Sequence, residues 1–161
     1  MAEPGAIAVP LLLSAGYHVR VDLPEQAPDV VVTQAVGPDE RLAIALADRL
    51  HEAGYGGTTP VTLAAAGSPD ERSQQDVAVA AQQLSARLGV TVDLAYVAAG
   101  EPRLSEVNPE VVATYLLAPG VFADAVAQCG AEVIAQPIGA HAVVAEIVLD
   151  RYRQNPPPIM Q

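Results

Sequence analysis

A chain of 161 residues, 51% of them hydrophobic, is long enough to bury a core and is most simply one compact domain. Nineteen Asp and Glu against eight Lys and Arg give a net charge of −11, which argues against a nucleic-acid partner because the phosphates would be repelled. No apolar run reaches the roughly 18 residues of a membrane span, the first residues lack the basic stretch of a secretory signal, and the lone Cys129 suits a reducing compartment, so a cytoplasmic protein without a membrane partner is expected.

The first apolar run, residues 6–13, ends in Leu11-Leu12-Leu13 and meets a glycine turn, Ser14-Ala15-Gly16, beyond which stands His18. A second run, residues 30–36, passes through Gly37-Pro38 into a helical pattern carrying Leu42, Leu46 and Leu50 up to Gly54. Residues 55–60, Tyr-Gly-Gly-Thr-Thr-Pro, read as the internal linker. The third run, residues 61–66, is followed by Ser68 as a cap, Pro69 in the first turn and Glu71 completing a capping box. Val77, Ala81, Leu84 and Leu88 then recur at helical spacing until Gly89.

The fourth and fifth runs, residues 92–97 and 111–117, are separated by about a dozen residues broken by Asn108-Pro109, which is the lower limit for a parallel crossover. A single turn around residues 103–107 is expected there. It would leave part of one sheet face uncovered and favour a homodimer. A helix over residues 122–128 with Cys129 packed behind it, a cluster ligand or reactive thiol being the alternative for that cysteine, a sixth run at 132–138 and a helix over 140–153 complete the pattern. The tail 155–161, with Pro156-Pro157-Pro158, cannot continue that helix and is expected to be extended or flexible. Short Val- and Ile-rich runs alternating with helices specify an α/β fold, an open, mostly parallel sheet with helices on both faces.

An internal repeat organises the chain. Gln34-Ala35-Val36-Gly37-Pro38-Asp39, then Leu42 and Ala47-Asp48-Arg49, is echoed about 102 residues later by Gln136-Pro137-Ile138-Gly139-Ala140-His141, then Val144 and Leu149-Asp150-Arg151. The same register lays Leu12-Leu13 on Leu116-Leu117, Gly16 on Gly120 and His18 on Phe122. The fold unit therefore occurs twice and the histidine once, with residues 1–54 as a partial first unit and 60–154 as a shortened second one.

The segment from Pro10 to Pro24, PLLLSAGYHVRVDLP, resembles the metal-binding segment of the class II chelatases, the sirohydrochlorin cobalto- and ferrochelatases. Ala64-Ala65-Ala66-Gly67-Ser68-Pro69-Asp70, Ala98-Ala99-Gly100-Glu101-Pro102-Arg103, residues 115–122 and Pro137-Ile138-Gly139-Ala140-His141 are similar to successive landmarks of the actinobacterial two-domain type. The resemblance implies a preceding strand with a His-Gly-Ser motif, which residues 1–5 do not contain. It also implies a second histidine and a glutamate, and the register puts Ala66 and Ala98 at those places in the second unit.

What the resemblance implies for chemistry centres on His18. Its ring would hold Co²⁺ or Fe²⁺, or accept pyrrole N–H protons as the ion enters, since the macrocycle must lose two protons while the ion sheds water. Asp22 and His141 are the further metal candidates. His141 opens a helix, where neutral imidazole is favoured, and a capping or packing role is its alternative. Ser14, Gly16, Tyr17 and Arg20 are the candidates for substrate contact, with ordinary turn roles as the alternative for Ser14 and Tyr17. Arg20, and farther off Arg41, are the cations near His18 in sequence that an anionic tetrapyrrole would need. His51, between Leu50 and Glu52, reads as solvent-facing.

Gly54-Tyr55-Gly56-Gly57 lacks a following Gly-Lys-Ser/Thr, so no nucleotide cofactor is expected. Gly67-Ser68 lacks the hydrolase elbow. Three functions are open at this level: a divalent-metal chelatase completed at a homodimer interface, a non-catalytic tetrapyrrole or metal binder, and a repurposed enzyme that keeps His18 as an acid–base group.

Overall fold

Pro10 limits how the chain begins. In the computed structural model, which describes residues 6–14, 16 and 29–155, β1 (Ile7–Ala8) and β2 (Val31–Val32) pair in parallel over two residues each, shorter than the apolar runs predict. The segments stay side by side further on: Thr33 N–H donates to Ala8 O at 2.9 Å, Val36 to Pro10 O at 3.2 Å and Gly37 to Leu12 O at 3.0 Å. Pro10 has no N–H to return, so the regular ladder ends there.

Asp39 caps α1 (Glu40–Glu52), its carboxylate accepting from Arg41 N–H at 3.0 Å. Leu42, Leu46 and Leu50 are buried as their spacing predicts, and His51 is exposed. The linker is pinned to the core rather than loose, because Tyr55 is buried and its hydroxyl donates to Thr59 O at 2.6 Å.

β3 (Val61–Gly67) leads to α2 (Glu71–Leu88), which starts two residues later than the Ser68 cap expected from sequence. Ser68 Oγ instead accepts from Asp70 N–H at 3.1 Å, and the Asp70 carboxylate caps the helix through Arg72 N–H at 2.9 Å. A carboxylate complements the positive helix start better than a hydroxyl does. Gly89, at φ +71°, ends the helix as predicted.

β4 (Val92–Ala99), a 3₁₀ turn (Leu104–Glu106), β5 (Val111–Tyr115), α3 (Val121–Ala127), β6 (Val133–Ile134) and α4 (Ala142–Gln154) follow. The main sheet runs β4-β3-β5-β6 with every pairing parallel.

Alternation along the strands divides the core. Val61, Leu63, Ala65, Val111, Ala113 and Tyr115 face α1, α2 and α4 in one cluster. Ala64, Ala95 and Val112 face the other way, under Leu104, Val107 and Val126, with Cys129 packed alongside. The single turn expected in the crossover is present, but the sheet face beneath it is not left bare as predicted: Ala64, Ala95 and Val112 are all fully buried. Alanine-sized residues on that face lie low enough for Leu104 and one short helix to cover them.

The repeat is visible in the structure. β2 and β6 occupy matching positions, as do α1 and α4, and Asp39 caps the first helix where His141 caps the second. Each helix also reaches the start of the other. Arg49 donates to Ile138 O at 3.0 Å, and Arg151 donates to Ala35 O at 3.2 Å and pairs with Asp39 at 3.2 Å. Arg41 bridges Asp39 at 2.9 Å and Asp150 at 2.5 Å.

Burial alone would raise the Asp39 carboxyl. Hydrogen bonds from Arg41 and the charges of Arg41 and Arg151 outweigh it and hold the group below its ordinary value of 3.8. The folded carboxyl thus titrates below the unfolded one. Its contribution to stability is complete above about pH 4 and is lost as pH falls through the folded value. Asp39→Asn keeps a capping side chain but removes the charge, and should cost about 1–3 kcal/mol at pH 7 with a flatter loss below pH about 4, measured by urea unfolding across pH.

Candidate functional site

β3 connects through α2 to β4 on one side, and β5 connects through α3 to β6 on the other, so the chain reverses direction across the sheet between β3 and β5. At such a reversal the loops diverge and leave a crevice beyond the carboxyl ends of the strands. A pocket of about 230 Å³ lies there, bounded by Ala65, Ala66 and Gly67 from β3, by Tyr115, Leu116 and Leu117 from β5, and by Ser73 and Val77 from α2. Its fourth wall comes from the first unit, where Leu11, Leu12, Leu13 and Ser14 cross over the strand ends. Leu11 and Leu12 stay 59% and 43% exposed at its mouth. A wider groove of about 930 Å³ beside Gln82, Ser85, Gly89 and Thr91 lies at the opposite, amino end of β4, and no titratable side chain lines it among the described residues.

Most of the pocket is apolar, and its polar groups are hydroxyls. Ser14 Oγ and Ser73 Oγ share a hydrogen bond of 2.8 Å. Two hydroxyls carry two protons and this contact uses one, so a donor remains for a ligand or water. The buried Tyr115 hydroxyl donates to Leu13 O at 3.0 Å. Burial, with added repulsion from Asp76 and Asp39, pushes Tyr115 well above the usual phenol range, so it stays a donor at any ordinary pH.

Of the residues the sequence singles out, Ser14 is on the pocket wall. Gly16 follows it with open space where a side chain would stand. His18, Tyr17, Arg20 and Asp22 lie outside the described residues. His141 is elsewhere, at the start of α4: Nδ1 accepts from Val143 N–H at 3.4 Å and Nε2 meets Asp48 at 3.1 Å. Nδ1 thus takes the capping role that was its alternative, while Nε2 ties the ring to Asp48 on α1. Arg41 is bound into the ion pairs with Asp39 and Asp150. Among the described residues no three His, Cys, Asp or Glu side chains stand close enough to hold a metal, and none of their helices is long and apolar enough to cross a membrane.

Sequence reading passed over Ser73 and Tyr115. Ser73 had a signal, since it falls on the helical stripe continued by Val77, Ala80 and Leu84 and is therefore a hydroxyl in an apolar row. Tyr115 was masked by the aliphatic run around it.

The CbiX family model matches residues 2–53 and 60–155. Comparison with the curated proteins gave no match. Among solved structures, the fold is similar to SirB from Bacillus subtilis with Fe³⁺, at 24% identity and a TM-score of 0.79 over 92% of this chain and 70% of that one. It is also similar to the sirohydrochlorin chelatase SirB from Bacillus subtilis subspecies spizizenii in complex with cobalt, at 25% identity and a TM-score of 0.72 over 92% and 68%. DR2241 from Deinococcus radiodurans, a multi-domain protein with structural similarity to chelatases, matches at 21% identity and a TM-score of 0.61 over 90% and 40%.

Gly67 shapes the rim of the pocket. It sits at φ +91° beside a bulge in the β3–β4 pairing, and a Cβ there would run into the Ala99 carbonyl. Gly67→Ala should lower stability by about 3 kcal/mol through combined backbone strain and collision, read from the urea midpoint at unchanged slope.

Proposed function

This chain belongs to the CbiX family, the class II chelatases, and on that premise we propose that it inserts a divalent metal, Co²⁺ or Fe²⁺, into a sirohydrochlorin-type tetrapyrrole. The observation that carries the reading is the pocket at the chain reversal between β3 and β5, walled by the Leu11–Ser14 segment that resembles the chelatase metal-binding motif. The metal is substrate, not resident cofactor.

At about 230 Å³ the pocket is smaller than the roughly 300–1,000 Å³ that encloses a drug-sized ligand. A tetrapyrrole would lie across the mouth, its apolar face on Leu11 and Leu12 and one edge toward the Ser14–Ser73 pair. His18, four residues past Ser14, holds the ion or takes the pyrrole protons in this reading. Asp22 supplements it, Gly16 and Tyr17 shape the approach, and Arg20 offers a cation to the carboxylates. The cytoplasm is the compartment proposed, on the lone Cys129.

A homodimer is part of the proposal. Its support is a difference between the two repeats: Ala43, Ala47 and Leu50 of α1 are buried, whereas their counterparts Ala145, Leu149 and Tyr152 on α4 are exposed, the last two by 49% and 48%. A second copy covering that face would bury at least roughly 1,000 Å² in total. Sedimentation at micromolar concentration should give a dimer for the wild type and a monomer for Leu149→Glu; a wild-type monomer removes this part of the proposal.

Absorbance-monitored insertion of Co²⁺ and Fe²⁺ into sirohydrochlorin tests the activity. His18→Ala should reduce the rate by at least roughly 10²-fold, the loss typical for a positioned proton acceptor, while macrocycle binding survives. Binding without wild-type insertion would instead identify a carrier. A wild type that neither binds a tetrapyrrole nor responds to divalent metal would leave the repurposed enzyme.

A further inference from the structure

The segment Leu11–Ser14 belongs to the first unit by sequence, yet the second unit holds it in place. From its own side, Gly37 N–H donates to Leu12 O at 3.0 Å, and a Cβ on Gly37 would collide with the Leu13 carbonyl, so only glycine lets the two backbones come this close. From the other side come two buried hydroxyls, Tyr115 to Leu13 O at 3.0 Å and Ser73 to Ser14 Oγ at 2.8 Å. Regular strand pairing in β1 covers two residues, and past it Val36 N–H donates to Pro10 O at 3.2 Å just before the segment begins.

We propose that Tyr115 and Ser73 are positioning residues of the metal-insertion site, a two-point latch by which the second unit fixes Leu13 and Ser14, the part of the first unit that walls the pocket. This rests on the chelatase reading above. Neither hydroxyl is assigned a bond-making role. Their contribution is geometric, and a displacement of about 1 Å at a reacting group can cost up to about 10²-fold in rate. Tyr115 suits the task because its ring is buried in the core shared by both units, and its phenol remains protonated where a more acidic donor would not.

Tyr115→Phe deletes one donor and keeps the ring. A control lies one residue away on the same strand: buried Thr114 Oγ1 donates to Ala135 O at 2.6 Å, on the sheet face opposite Tyr115. Thr114→Val removes a comparable bond without touching the latch. Y115F is expected to lower kcat for Co²⁺ insertion about tenfold, leave KM for the tetrapyrrole within about twofold, and raise hydrogen exchange over residues 11–16 alone. T114V is expected to lower Tm at least as much with kcat unchanged. If Y115F does not fold, Ser73→Ala makes the same test from the other point of the latch. The role is overturned if kcat follows Tm across both variants, or if exchange over residues 11–16 does not move. Absence of insertion by the wild type overturns the chelatase reading and this role together, whereas wild-type insertion with an unaltered Y115F overturns this role alone.

Discussion

The reciprocal reach of two arginines is the constraint on which the rest of the molecule depends. Arg49 leaves the last turn of α1 for the Ile138 carbonyl, and Arg151 leaves the last turn of α4 for the Ala35 carbonyl and the Asp39 carboxylate. Each satisfies a carbonyl at the start of the opposite helix that would otherwise be left in a crowded, half-dry place. The pairing sets α1 and α4 antiparallel and joins the two units. A two-stranded sheet such as β1–β2 is marginal by itself, and here α1 carries it into the core of the four-stranded sheet through Leu42, Leu46 and Leu50.

From that docking follows the location of the pocket. Once α1 is seated, residues 11–14 pass over the carboxyl ends of β3 and β5, at the point where the sheet reverses direction. A pocket built there has backbone and small side chains on the sheet side. Ala65, Ala66 and Gly67 take up little space, and the hydroxyls of Ser14, Ser73 and Tyr115 can meet at its edge. Among the described residues no charged side chain lines the pocket, although Asp76 and Asp39 act on Tyr115 from behind its wall, and Arg41, Asp39, Asp150 and Arg151 pair with one another at the helix junction.

The two repeats have diverged at positions that matter to this arrangement. Asp39 and His141 hold the same capping place, but the aspartate draws two arginines while the histidine pairs with Asp48. The faces of α1 and α4 that correspond are buried in one and exposed in the other, because α2 covers the first and the described chain has no equivalent helix over the second. His18 falls on Phe122 in the repeat register, so a histidine in one unit answers an apolar residue in the other.

Periodicity and repeat pattern by themselves determined the α/β class, the parallel sheet, the helices ending at Gly54 and Gly89, and the single turn in the shortened crossover. These are local matters: apolar spacing, glycine conformation and the minimum length of a crossover act within a few residues. The motif around His18 likewise gave the family, since it is a contiguous string. Tertiary structure alone decided that Asp70 and not Ser68 caps α2, because a turn closed by Ser68 carries the chain two residues on. It alone showed that alanine-lined strands need no full helix to cover them. The Ser14–Ser73 and Leu13–Tyr115 contacts join residues 59 and 102 positions apart, and no local pattern encodes a hydrogen bond whose geometry exists only after two helices have clasped.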